Sequence, residues 1–143
     1  MHILNLSFLE ASKVETGLSL SVSPISVEFI REEKTSDLCG GVSRTTEKLL
    51  CAVVGGVEIR STDLTLEKKI NIPGGVLSAQ LIAGGRLITK VCLYDYNKYC
   101  TYIGTETDPQ QTLIHEVKYE GTPYLSHMSA TDNRIAVIDS VNK

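Results

Sequence analysis

Paired glycines cut this chain into short apolar runs. Eight of its eleven glycines stand in four Gly-Gly pairs, at 40–41, 55–56, 74–75 and 84–85. Glycine reaches positive φ without a steric penalty, so a pair set between apolar segments predicts a tight turn. The runs between the pairs are rich in Val, Ile, Leu, Thr and Tyr, residue types that suit a pleated surface. A chain punctuated in this way has little room for helices and much room for hairpins, and the expected class is all-β.

Strands are expected at 18–22, 25–30, 48–54, 57–61, 66–72, 77–82, 86–90, 92–94, 99–103, 113–118, 125–129 and 134–138. The first two alternate apolar and polar residues, the period of a half-buried strand. Residues 48–54 are almost continuously apolar, and Gly55-Gly56 is expected to turn them into 57–61 as a hairpin with a two-residue loop. Residues 1–17 form an N-terminal segment expected as a short helix, with Ser7 as its cap and Phe8, Leu9 and Val14 as its apolar residues.

Three segments share one plan: a turn, a basic residue, then a largely apolar strand. Their basic residues, Lys48, Arg86 and Arg134, stand 38 and then 48 residues apart. Four-stranded propeller blades repeat at roughly 40–50 residues, and each interval holds enough strands for one blade. The expected division of 18–143 is therefore a blade at about 38–73, a second at 74–120 and part of a third at 121–143.

The wording is most specific near the C-terminus. Gly121-Thr122-Pro123-Tyr124-Leu125-Ser126 leads into Asp132-Asn133-Arg134-Ile135-Ala136-Val137-Ile138-Asp139-Ser140-Val141-Asn142-Lys143. This resembles the NHL-repeat family of β-propellers, whose blades open on Gly-x-Pro and carry an Arg-Ile-x-Val strand followed by Asp-Ser-x-Asn and a basic residue. Asp139, Asn142 and Lys143 match the polar group that ends the strand; the two earlier units keep only the rhythm of strand and turn. The resemblance implies a partial β-propeller of antiparallel four-stranded blades, about two and a half of them, left incomplete because closure takes about four to eight. It also implies a region like the one that ends proteins of the tripartite-motif class, where such propellers recruit substrates for a ubiquitin ligase or bind RNA. A small β-sandwich or barrel with an unassigned ligand is the alternative fold.

Hydrophobic residues make up 42% and charged residues 22% of the chain, a globular balance, and its net charge of −3 disfavours general binding to nucleic acid or anionic membranes. No apolar run approaches a membrane-spanning helix, and the start lacks the basic region of a secretory leader. Cys39, Cys51, Cys92 and Cys100 include no Cys-x-x-Cys pair; Cys51 lies in an apolar strand and reads as a buried free thiol. Reduced thiols and a cytoplasmic location are expected, with no disulfide required.

No catalytic, cofactor or metal constellation is found. His2, His115 and His127 share no ligand spacing, and Ser126, His127 and Asp139 lack a Gly-x-Ser-x-Gly elbow. The Gly-Gly pairs match neither phosphate-binding pattern. Thr105-Glu106-Thr107-Asp108-Pro109 reads as a solvated turn rather than a calcium loop. Tyr94, Tyr96, Tyr99 and Tyr102 surround Lys98, with Lys90 nearby. Such interleaving can clamp single-stranded RNA, and Tyr96, Lys98 and Tyr99 are the binding candidates; packing of a tyrosine-rich hairpin is the plainer reading. The expected function is a non-catalytic protein-interaction or scaffold module without a cofactor. Its expected partner is a protein, with RNA binding as the second reading and self-association through an open sheet edge also expected.

Overall fold

The computed structural model describes residues 2–8, 25–107, 110–120 and 126–139. The chain is all-β, with helix confined to two three-residue 3-10 turns among the described residues. It divides into two units, Met1–Lys34 and Thr35–Lys143.

In the first unit, β1 (His2–Phe8) pairs antiparallel with β2 (Ile25–Glu32). Part of the expected N-terminal helix is therefore a strand. Leu4, Leu6 and Phe8 alternate with Asn5 and Ser7, a period of two, and the register sets them opposite Phe29, Val27 and Ile25. That alternation outweighs the weak helical spacing of Phe8, Leu9 and Val14. The strand expected at 18–22 lies outside the described residues.

The second unit is built on one six-stranded antiparallel meander: β3 (Cys39–Arg44), β4 (Lys48–Ser61), β5 (Leu66–Ile82), β6 (Arg86–Leu93), β7 (Lys98–Thr105) and β8 (Thr112–Lys118), each hydrogen-bonded to its neighbour in sequence. Where two four-stranded blades were expected, a single ladder runs through, and β5 crosses the expected blade boundary at 73/74 unbroken. The hairpin expected at Gly55-Gly56 is likewise replaced by the interior of β4. Only the 84–85 pair closes a chain reversal, in the 3-10 turn Ala83–Gly85 between β5 and β6.

The pairs at 55–56 and 74–75 bend strands instead. Gly55 (φ 83°) and Gly74 (φ 105°) take conformations that side chains rarely adopt, and the ladder shifts register between Val54 and Gly56 and between Val76 and Ser78. Each irregularity changes which parity of residue faces the core. Leu50 and Ala52 before the first bend share a core with Val57 and Ile59 after it. In β5, Ile70, Ile72 and Val76 join Ala79 in the same way. An unbent strand would turn half of these residues outward.

The sheet consequently curls over its own core. β3 comes back against the second half of β5, where Ser43 Oγ donates to the Ala79 carbonyl and a Cβ on Gly40 would stand 2.9 Å from the Val76 carbonyl oxygen. The enclosed core also takes Leu87 and Val91 from β6. The opposite face of β6 and β7 holds a smaller cluster of Cys92, Tyr99 and Tyr119. With both faces covered, residues 87–92 are all buried, Thr89 and Lys90 included.

A separate hairpin, β9 (Ser126–Ala130) with β10 (Ile135–Asp139), pairs within itself and packs on β5 and β6. Its strands fall within one residue of expectation. Met128 is buried, the Ala130 N–H donates to Gln80 Oε1, and Asp132 Oδ1 accepts the Ala83 N–H at 2.8 Å. Residues 121–125 and 140–143, which carry much of the NHL-like wording, lie outside the described residues.

Candidate binding surface

The tyrosine-rich segment forms the tip of the β6–β7 hairpin. Tyr94–Tyr96 make a 3-10 turn and Asn97 follows in the left-handed region at φ 50°. Tyr94 and Tyr96 are exposed at 58% and 69%, but Tyr99 is 1% exposed. The ladder explains the split. Tyr99 pairs with Cys92 and faces the small cluster, its ring centroid 4.8 Å from that of Tyr119. Tyr102 stands at the alternate parity and packs on the main core.

Lys98 is committed to an ion pair with Glu116, its Nζ 3.0 and 3.1 Å from the two carboxylate oxygens. Lys90 is wholly buried, with its Nζ 5.7 Å from the centre of the Tyr99 ring, within cation–π range. Of the three candidates, only Tyr96 therefore combines exposure with freedom from the ladder. Tyr99 is part of the core because strand parity decides which aromatic residues turn inward.

Tyr96 helps wall an apolar pocket of about 320 Å³ with Ile72, Pro73, Leu93, Tyr102 and Gln111, at the small end of the roughly 300–1,000 Å³ of ligand sites. Burial, then a hydrogen bond with the Cys100 thiol, pushes the Tyr102 phenol up to about 12. Tyr102 lies opposite Leu113 in the β7–β8 ladder, so the pocket and the last strand of the sheet share a rung.

β8 is the terminal strand of that sheet. Six of its seven residues are exposed, and Leu113 and Ile114 are each 45% exposed. The register slips between Thr101 and Tyr102, which leaves Ile114 without an opposite residue. The strand matches the expected 113–118 to one residue, whereas its place at the end of the ladder depends on the order of all six strands. His115 stands on it, opposite Thr101.

Of the segment expected as a turn at 105–109, residues 108 and 109 lie outside the described residues; Glu106 pairs with Lys48 at 3.4 Å, and its carbonyl accepts from Lys68 Nζ. All four cysteines are free thiols, Cys39 exposed and the other three buried. Among the described residues no group of His, Cys, Asp and Glu is arranged to hold a metal, and no helix is long and apolar enough to cross a membrane. No protein-family model, curated protein or solved structure matches the chain.

Proposed function

We propose that this chain is a non-catalytic protein-interaction module that takes an extended segment of a protein partner onto β8 and seats an apolar side chain of that segment in the Tyr96–Tyr102 pocket. The observation that carries this reading is the β8 edge itself. Among the described residues it pairs with β7 alone, beside exposed Leu113 and Ile114, whereas β4, β5, β6 and β7 each have a neighbour on both sides. Strand addition to a sheet edge draws affinity from main-chain hydrogen bonds and specificity from adjacent side-chain pockets. Recruitment of substrates to a ubiquitin ligase is a narrower form of the same reading. RNA binding receives less support, because Lys98 is held by Glu116 and both Lys90 and Tyr99 are buried. A reducing, cytoplasmic setting fits the four free thiols; β6–β7 pairing also puts Cys92 and Cys100 on opposite faces, where they cannot bridge.

The test is selection of unstructured peptides on the folded protein by display, followed by amide hydrogen exchange of the best binder's complex. Protection should rise across 112–118, and a Leu113→Lys, Ile114→Lys double variant should weaken binding by about tenfold or more, equivalent to roughly 1.4 kcal/mol. Peptides that protect some other surface and bind this variant unchanged would overturn the reading. Concentration-dependent protection of β8 without peptide would identify the partner strand as a second copy of the chain.

A further inference from the structure

A second cavity, of about 380 Å³, lies where the tip of the β9–β10 hairpin meets the β5–β6 turn. Its floor is apolar, made by Ile82, Ile103 and Ile135, and its rim carries Arg86, Arg134 and Asp132. The rim is braced by backbone. Arg86 Nε donates to the Ala83 carbonyl at 3.1 Å and its Nη2 to the Asp132 carbonyl at 2.8 Å. The Asp132 carboxylate is occupied by the Ala83 N–H, and the Thr131 N–H closes the hairpin turn on the Arg134 carbonyl at 2.8 Å.

Among the described residues Arg86 bonds only carbonyl oxygens, so those contacts fix the cation without neutralising it. The Arg134 guanidinium makes no ion pair or hydrogen bond among the described residues. Among the described residues that line the cavity, two guanidiniums stand against one carboxylate, a single excess positive charge beside three isoleucines.

We infer that this cavity binds a monoanionic carboxylate carried on an apolar body, with the carboxylate between Arg86 and Arg134 and the hydrocarbon on Ile82, Ile103 and Ile135. A guanidinium is a planar fork of donors that matches a carboxylate in a bidentate pair. The Asp132 carboxylate on the rim opposes a second negative charge, so a dianion such as phosphate fits less well. The apolar floor adds affinity only for a ligand that brings hydrocarbon with its charge. Two sources supply this chemistry, the C-terminal residue of a peptide ending in an apolar side chain and a free medium-chain carboxylic acid. The inference is independent of the β8 reading, because it uses no residue of β8 or of the Tyr96–Tyr102 pocket.

Methyl-detected NMR titration of the full chain decides it. N-acetyl-leucine, a short peptide with C-terminal leucine, and hexanoate should shift the methyls of Ile82, Ile103 and Ile135 and leave those of Leu113 and Ile114 in place. N-acetyl-leucinamide, hexanol, acetate and inorganic phosphate should each bind at least about tenfold more weakly, the ratio expected for loss of roughly 1.4 kcal/mol. Arg134→Gln should weaken carboxylate binding by a similar factor with an unchanged melting temperature, since that side chain bonds no described residue. Tighter binding of the peptide than of hexanoate would name a chain terminus as the natural source, and the reverse would name a small acid. Hexanol or phosphate binding as well as hexanoate, or carboxylate binding untouched by Arg134→Gln, would overturn the inference, as would an absence of shifts at the three isoleucines.

Discussion

Glu58 and Arg60 show how far a single pair of residues can depart from its appearance in the sequence. Alternating with Val57 and Ile59, they read as the solvent side of a strand, yet they are 0% and 5% exposed. Arg60 donates to Glu58 Oε2 through Nε at 2.9 Å and Nη2 at 2.7 Å, and through Nη1 to the Leu64 carbonyl at 2.8 Å; Glu58 Oε1 accepts the Ser36 N–H at 2.7 Å. Their outside partners are Leu64, in the turn after β4, and Ser36, 22 residues before Glu58, and a period-two pattern reports neither. Burial alone would push the Glu58 carboxyl up, but the Ser36 hydrogen bonds and the Arg60 guanidinium outweigh it and leave the carboxyl below its ordinary 4.5. The unfolded chain therefore takes up this proton first as acid is added. The stabilisation is complete above the unfolded value and disappears as pH falls through the lower, folded one. Arg60→Met, which strands the carboxylate, should cost about 3–5 kcal/mol near neutral pH, and Glu58→Leu with Arg60→Met together should cost less. Urea unfolding from pH 7 down to pH 3 measures both, and the wild-type advantage over the double variant should shrink across the acid end.

At the scale of elements, most strands were legible because apolar residues at period two mark them whatever the topology. The glycine pairs were legible as irregularities but not as kinds of irregularity. A turn and a bulged bend both need positive φ, and the choice between them depends on whether the flanking runs find partners on either side. β4 and β5 do, so they continue for 14 and 17 residues through their glycines. Gly74 is the clearest instance. A Cβ there would stand 2.8 Å from Leu93 Cδ2, 2.8 Å from Val91 Cγ1 and 2.9 Å from the Cys92 carbonyl oxygen, at a φ that already excludes most side chains. Gly74→Ala should therefore destabilise by about 1–3 kcal/mol from backbone strain and about as much again from overpacking. Gly84→Ala meets nothing within 4 Å and bears only its own φ of 78°, so chemical denaturation should show the smaller loss there. The tyrosine tip was likewise legible as a hairpin, whereas the exposure of β8 was not, because only the complete strand order decides which strand has a single neighbour.

At the scale of the whole second unit, the thiols report on three different places. Cys51 is buried in β4, Cys100 pairs with Val91 of the main core, and Cys92 sits in the smaller cluster on the other face. Burial pushes Cys51 up to about 11 and raises Cys92 as well, so neither is a thiolate at neutral pH. Brief alkylation of the native protein with iodoacetamide should add one group, at Cys39, and alkylation in denaturant should add four; intact mass and peptide mapping distinguish them. If the unit opens as a whole, the three slow sites should react at one common rate, and separate rates would mean that its layers open singly. The order of the strands also bears on synthesis. Because every strand of the meander pairs with the one before it, each ladder can form as soon as its second strand is made, in the N-to-C order in which domains emerge. The hairpin that carries Met128 and bonds Gln80 through Ala130 is the exception, since its partners lie about 50 residues upstream. A growing chain must therefore hold β5 and β6 without that cover while some 40 further residues are added, and during that interval the nearly finished sheet is most open to a chaperone or to a neighbouring copy.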